Sequence, residues 1–452
     1  MEEGMSVLSA PQALESLRPR NEAPGLSDAV SRLLPETAPK TASVTQRMTR
    51  KLIFSLLQGI RCARLTVIDA DGTYVFGRPD APLSARITVR DPAVYRRILQ
   101  GGNLAAGESF VDGDWDCDDP VTVCRIFILE DQLLNGSVPG ILRLMRPATW
   151  LLHALRRNTR AGSQRNIAAH YDLGNEFYQL FLDEQLMYSS AIYPHENSCL
   201  DEAARYKNER ICRKLGLQPG HTLLEIGTGW GGFALHAAGE YGCHVTTTTL
   251  SRQQYELARQ RVADAGLGHL IDVRLEDYRD LQGAYDRIVS IEMIEAVGYQ
   301  YLDTYFEQCA RLLTPQGRML VQGITLPEWA WDRHKSSVDF MKRYIFPGCS
   351  LISIGGVAKA LTGTDLRWEN LEDIGPHYAR TLRDWRSRFH QRLDDVLQLG
   401  FDQRFVRMWD FYLASCEAAF EERYTSNVQI LLARGAERGA SLLPLLPRNL
   451  VT

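Results

Sequence analysis

From about residue 200 onward, short apolar runs alternate with longer stretches of helical period. HTLLEIG (221–227), HVTTTTL (244–250), IDVRLED (271–277), YDRIVSIEM (285–293) and GRMLVQGIT (317–325) read as buried strands. QQYELARQRVADAG (253–266) and LDTYFEQCARLL (302–313) read as helices between them. Buried strands separated by helices predict an α/β fold with a doubly wound, mostly parallel sheet. The upstream pattern is different. RKLIFSLLQGI (50–60) predicts a helix, and ARLTVIDADGTYVFG (63–77) a hairpin turning at Asp71-Gly72. ARITVRD (85–91) predicts another strand, and DPAVYRRILQGG a helix stopped by Gly101-Gly102. An apolar helix follows around VTVCRIFILEDQLL, which completes a smaller α+β unit.

These patterns divide the chain. Residues 1–45 hold repeated Pro, Ser, Ala and Glu without periodicity and are expected to be a tail. Residues 46–140 form the α+β unit, expected to serve lipid contact or assembly, and 166–436 the larger α/β domain, with 437–452 as a second tail. Between the two domains, 141–165 alternates Arg143, Arg146, Arg156, Arg157, Arg160 and Arg165 with Leu, Met and Trp150, and Pro147 interrupts any helix there. Two readings stand: a basic interfacial segment drawn to anionic headgroups, or a linker packed on its own domain with a solvated face.

Composition narrows the function classes. The net charge is only −4, so no global basic field points to nucleic acid. The nine cysteines are scattered and never in C-x-x-C spacing, which argues against a disulfide framework or a zinc cluster and predicts no metal. The N-terminal residues lack an apolar signal core, and no run of about 18 apolar residues occurs, so any membrane contact is expected to be peripheral, from the cytoplasmic side.

LLEIGTGWGGFALHAAGEYG (223–242) places a glycine-rich turn directly after a strand and before a helix. Gly227 and Gly229 can adopt backbone angles closed to other residues and let a ligand approach the main chain. Nicotinamide, flavin and S-adenosylmethionine folds all use such turns, but three details separate them. The pattern is E-x-G-x-G-x-G, and not the dinucleotide fingerprint G-x-G-x-x-G. Glu225 precedes the glycines, where a carboxylate can meet the amino acid end of S-adenosylmethionine, and the second strand ends in TTTTL without an acidic ribose ligand. Glu276 and Asp277, in RLEDYRDL, suit an adenine amino group.

Several further segments carry a family resemblance: AHYDLGNEFYQLFLD (169–183), MYSSAIY (187–193), EIGTGWGGFA (225–234), TLSRQQYELA (249–258), DRIVSIEMIEAVG (286–298), DFMKRYIFPG (339–348), LEDIGPHYARTLRDW (371–385) and FYLASCEAAF (411–420). Together they make the chain resemble the cyclopropane-fatty-acyl-phospholipid synthases and the mycolic acid cyclopropane synthases, from about Asn166 to about Arg434. The resemblance implies a class I, Rossmann-like S-adenosylmethionine methyltransferase, a homodimer, acting on unsaturated acyl chains of membrane phospholipids. By position it implies that Tyr171, Tyr188 and Ser189 cover the cofactor, with Gly227 and Gly229 beneath it. Thr249, Leu250 and Gln254 then hold the ribose side, Glu276 and Asp277 the adenine side, and Ile291 lines the same pocket. A bicarbonate site is implied on the amide of Ser190, Glu295, Gln322, the backbone of Ile324, and Tyr378, with Cys416 matching a cysteine of the active-site region. Cys416 reads equally well as a small buried hydrophobe.

The implied chemistry suits those residue types. An alkene is a poor nucleophile, so the sulfonium methyl must be held against it in a dry pocket. Attack leaves a carbocation, and ring closure needs a base to take a proton from the new methyl. Faces of Tyr188, Tyr378 and Phe346 could steady the cation. Many members carry Cys, His and His where this chain has Ser190, Gln322 and Ala296, and Gln322 cannot accept a proton. These departures leave a second outcome open, an acyl C-methyltransferase that leaves a methyl or methylene branch. A third reading, a lipid-binding protein without catalysis, conflicts with the intact Glu225, Gly227, Gly229 and Glu295.

Overall fold

The computed structural model describes residues 43–133, 173–335 and 337–438, which fall into two compact units. Tyr171 and the arginine-bearing segment 141–165 lie outside the described residues.

The first unit combines residues before 147 with 400–422. Its four-stranded sheet contains β1 (Ala63–Asp69), β2 (Gly72–Gly77), β3 (Leu83–Val89) and β4 (Trp115–Cys117) in the order β2-β1-β3-β4. β1 and β2 form the expected hairpin, but Asp69 pairs with Gly72, so the two turn residues are Ala70 and Asp71. The first helix, Val44–Leu57, starts earlier than its apolar pattern because Ser43 and Gln46 form a reciprocal capping box. The glycine pair does interrupt the next helix: Gly102 has φ 58° and ψ −141°, yet helix resumes beyond the kink to Val111. Against the expected domain boundaries, the helix Gln403–Glu421 belongs to this first unit. Ala414 and Ala418 pack on Val121 of the helix Pro120–Leu133. Arg125 pairs with Glu422 at 2.5 Å, and Arg407 donates to the Phe110 and Trp115 carbonyls at 2.8 and 3.2 Å. An arginine buried this deeply has to find such acceptors, which ties the late helix to early sequence.

The second unit holds the α/β domain, residues 147–399 and 423–452. Its seven strands are β5 (Thr222–Ile226), β6 (His244–Thr249), β7 (Ile271–Leu275), β8 (Tyr285–Ile291), β9 (Leu313–Thr325), β10 (Arg367–Asp373) and β11 (Ser426–Ala433). They lie in the order β10-β11-β9-β8-β5-β6-β7. The neighbours from β9 through β7 are parallel, whereas β11 runs antiparallel to β9 and β10 antiparallel to β11. Successive strand residues face opposite layers, as the pleat requires: Leu224, Ile288 and Val321 enter one core cluster, Leu223, Val289 and Leu320 the other. The chain reverses its winding direction between β5 and β8, the position where open α/β sheets leave a crevice at their carboxyl ends. Among the described residues no helix is long and apolar enough to cross a membrane.

Candidate active site

The turn after β5 builds the floor of a cleft at that crevice. Gly227, Gly229 and Gly231 have φ of 100°, 51° and 84°, so three residues in five use backbone geometry that side chains disfavour. The chain then enters the helix Gly232–Tyr241. A Cβ on Gly227 would stand 3.0 Å from Met293, whereas nothing lies within 4 Å of one on Gly229. The main chain at Gly229 is therefore open to a ligand.

The cleft spans about 1050 Å³, part of it open to solvent. Tyr188, Ser189, Glu225, Gly227, Gly229, Thr249, Leu250, Gln254, Glu276, Asp277 and Ile291 all line it, so the structure brings together every described residue expected around the cofactor. Ser251 caps the helix Arg252–Asp264, and Gln254 accepts from Thr249 Oγ1 at 2.8 Å, which fixes the ribose-side wall. Asp277 is clamped by Arg279, with Nε at 2.9 Å and Nη2 at 2.5 Å. Such a donor set, with acidic groups at both ends and an approachable glycine backbone between, fits S-adenosylmethionine.

Buried charge concentrates on one side of this floor. Glu225 accepts from Thr247 Oγ1 at 2.6 Å, and burial pushes its carboxyl up to about 8. Lys207, fully buried, donates to Ser189 Oγ at 3.1 Å. Burial lowers its ammonium, opposed by the attraction of Glu292, Asp183 and Glu225. Sequence reasoning passed over Lys207, although a signal existed. It falls on the apolar face of the helix Leu200–Leu215, in register with buried Ala203, Ala204, Ile211 and Cys212.

The residues expected to hold a bicarbonate are arranged differently. Three of them converge on Glu292, a side chain the sequence analysis did not single out. The Ser190 amide donates to Glu292 Oε1 at 2.9 Å, Gln322 Nε2 to the same oxygen at 2.9 Å, and Tyr378 Oη to Oε2 at 2.7 Å. Asn427 Nδ2 adds a fourth donor, to Oε1 at 2.5 Å. Gln429 donates to Gln322 Oε1 at 3.0 Å and so turns the Gln322 amide nitrogen toward Glu292. The other two expected residues pair with each other: the Ile324 amide donates to Glu295 Oε1 at 2.6 Å. Glu295 Oε2 is buried with no hydrogen-bond partner, and burial together with the nearby Glu292 charge pushes this carboxyl up to about 8. The donors that would hold a bicarbonate are thus engaged by a carboxylate of the chain itself, and a bicarbonate does not fit among them.

Aromatic rings back Tyr188, which lines the cleft. The Tyr188 ring lies 5.3 Å from those of Tyr178 and Trp385 and stacks on Phe346 at 6.3 Å. Cys416 belongs to the helix Gln403–Glu421 of the first unit and is not among the residues lining the cleft. Its match to a motif did not predict that placement, because the packing partners of that helix come from residues before 134. Among the described residues no group of His, Cys, Asp and Glu could hold a metal ion.

The family model described as mycolic acid cyclopropane synthetase matches residues 158–430. The chain is 37% identical over 412 residues to a tuberculostearic acid methyltransferase of Mycobacterium tuberculosis, covering 88% of this chain and 92% of that one. It is 33% identical to the cyclopropane-fatty-acyl-phospholipid synthase of Escherichia coli, covering 78% and 89% respectively. The crystal structure of a mycolic acid cyclopropane synthase complexed with S-adenosylhomocysteine (SAH) superposes with a TM-score of 0.57 at 30% identity, over 60% of this chain and 98% of that one.

Proposed function

From the premise that the chain belongs to the mycolic acid cyclopropane synthetase family and is an S-adenosylmethionine-dependent methyltransferase, we propose that it methylates the cis double bond of unsaturated acyl chains in membrane phospholipids. In this reading the resulting carbocation loses a proton and closes to a cyclopropane ring. The observation that carries the reading is that one cleft is lined by the glycine floor, Tyr188 and Glu292 together.

When bound, S-adenosylmethionine supplies an electrophilic methyl group. The chain's own residues do the rest. Gly227 and Gly229 let the cofactor's amino acid end approach the main chain, with Glu225 behind it. Thr249, Leu250 and Gln254 would receive the ribose, and Glu276 and Asp277 the adenine. Tyr188 and its aromatic neighbours give an acyl chain an apolar wall, keep water away and present ring faces to a cation. No step is routed through bicarbonate, because its expected donors are already engaged by Glu292.

A second outcome, a methyl or methylene branch without ring closure, is favoured by one observation. The relative that is 37% identical over 88% of this chain is called a methyltransferase, not a cyclopropane synthase. Both outcomes need the same methyl transfer and the same loss of one proton. Because an acyl double bond lies deep in a bilayer, the enzyme has to work at the membrane surface, and the basic segment 141–165 is the sequence candidate for that contact. Mass spectrometry and NMR of lipids from cells with and without the chain test the proposal. A gain of one CH2 with the double bond lost indicates the ring, a gain of one CH2 with unsaturation kept as a methylene indicates the branch, and an unchanged lipid profile refutes both.

A further inference from the structure

Glu292 is the least expected residue in the cleft. Its backbone φ is 49°, one of three positive values at residues other than glycine among the described residues. A residue with a side chain enters this region only when its surroundings hold it there, and such outliers gather at functional sites. Here the surroundings are specific. Its amide donates to the Gln322 carbonyl at 2.8 Å, continuing the β8–β9 ladder past Ile291. Its carboxylate takes the donors of Ser190, Gln322, Tyr378 and Asn427. Gln322 and Asn427 sit on the paired strands β9 and β11, and both are completely buried. Buried amides in such strands are costly unless they have a task. Glu292 nevertheless lines the cofactor cleft and is only half-buried, so the residue borders both its donors and the reacting space.

We propose that Glu292 is the catalytic base of this enzyme and that its carboxylate does the work of a free bicarbonate ion. The inference deepens the acyl-methylation reading and rests on it. The alkene electron pair forms a bond to the methyl carbon, and the carbon–sulfur bond breaks with its electrons left on sulfur. The cation then loses one proton from the new methyl to a Glu292 oxygen. The C–H electron pair closes the third side of the ring, or becomes the double bond of a methylene if the charge has moved to the methylated carbon by hydride shift. The proton passes to water when the product leaves.

The step asks little basicity of the carboxylate, because a hydrogen next to a carbocation is strongly acidic, and the requirement is an oriented anion with no water beside it. Glu295 does not serve this role. Its Oε1 is engaged by the Ile324 amide, it does not line the cleft, and burial pushes its own carboxyl up to about 8, which keeps it neutral near pH 7. Gln322 cannot accept a proton, so it acts as a positioning residue that aims Glu292.

The experiment uses full-length enzyme, S-adenosylmethionine and vesicles of dioleoylphosphatidylglycerol, in buffer freed of bicarbonate and in buffer supplemented with it. Wild-type turnover is expected to be the same in both. Glu292→Gln should lose roughly 100-fold or more in turnover in both, within the range of general-base steps, with cofactor affinity kept. Glu292→Gly is the diagnostic variant, since glycine adopts the positive φ without strain and leaves the four donors free for an added anion. It should be inactive without bicarbonate and regain activity as bicarbonate is added, a rescue that a purely structural clamp would not show. Bicarbonate dependence of the wild type overturns the proposal, as does wild-type turnover of Glu292→Gln or absence of rescue in a Glu292→Gly variant that still binds cofactor. Should Glu292→Gly fail to fold, the isosteric Glu292→Gln decides alone. If the wild type methylates no lipid in either buffer, the acyl-methylation reading fails instead.

Discussion

Glu225 makes cofactor binding a proton-linked event. In the free enzyme its carboxyl is raised from the usual glutamate value of 4.5 to about 8, mostly by burial, with Thr247 as its close hydrogen-bond donor. It lines the cleft where the sulfonium and ammonium charges of S-adenosylmethionine would approach, and a nearby cation favours the ionised form. At pH 7 roughly a tenth of the free enzyme carries the ionised group, one unit below its midpoint. Binding therefore releases up to one proton, so affinity rises with pH below about 8 and levels off above it. Each unit of pH is then worth up to ~1.4 kcal/mol, or about tenfold in Kd. Between pH 7.5 and 5.5 the affinity should weaken by up to roughly 100-fold. Titration calorimetry in two buffers of different ionisation enthalpy reads the released proton directly. Glu225→Gln stays neutral throughout and should flatten the profile. A Kd that is constant over this range, or a Glu225→Gln variant with the same slope as the wild type, refutes the reasoning.

Gly229→Val should fold, since nothing crowds its Cβ, but lose S-adenosylmethionine binding because a branched side chain at φ 51° is strained and fills the cleft floor; unchanged affinity by calorimetry contradicts this. Glu295→Gln should change the pH dependence of stability. A carboxyl raised to about 8 binds more protons folded than unfolded, so wild-type stability falls as pH rises from 4.5 toward 8, a loss the amide avoids. Thermal melts should show the variant gaining on the wild type by up to about 4 kcal/mol near pH 7.5, with turnover hurt less than in Glu292→Gln; parallel melting curves from pH 5.5 to 8.5 would count against it. Replacing Arg156, Arg157 and Arg160 with Glu should weaken co-sedimentation with anionic vesicles at low salt and much less at high salt, each charge being worth on the order of 1 kcal/mol; equal binding would assign docking to another surface.

How far the sequence could be read depended on where each signal sits. The inner parallel strands β5, β8 and β9 announce themselves as apolar runs because both faces of such a sheet are buried there. β10, RWENLED, has mostly exposed and half-buried positions and shows no alternation that would mark it as a strand. β11 opens with Ser426-Asn427, polar residues that read as loop, although Asn427 is buried by its bond to Glu292. The placement of the helix Gln403–Glu421 in the first unit depends on long-range partners such as Val121 and Phe110, which no local pattern carries. Around the cleft, residue types and order sufficed to gather the cofactor wall. They did not reveal that SIEM places a second carboxylate at the heart of the site, because a positive φ at a residue other than glycine has no sequence signature.

Central to this account is methyl transfer to an acyl double bond, and the direct measurement follows the methyl carbon itself. Purified enzyme is incubated with S-adenosylmethionine carrying a carbon-13 methyl and with dioleoylphosphatidylglycerol vesicles, and the extracted lipid is examined by carbon-13 NMR. The account predicts label bonded within the acyl chain at the former double bond, as a cyclopropane methylene, or in the second outcome as a branch, with release of S-adenosylhomocysteine in equal amount. Label found only in unreacted cofactor, or on the headgroup, would contradict it.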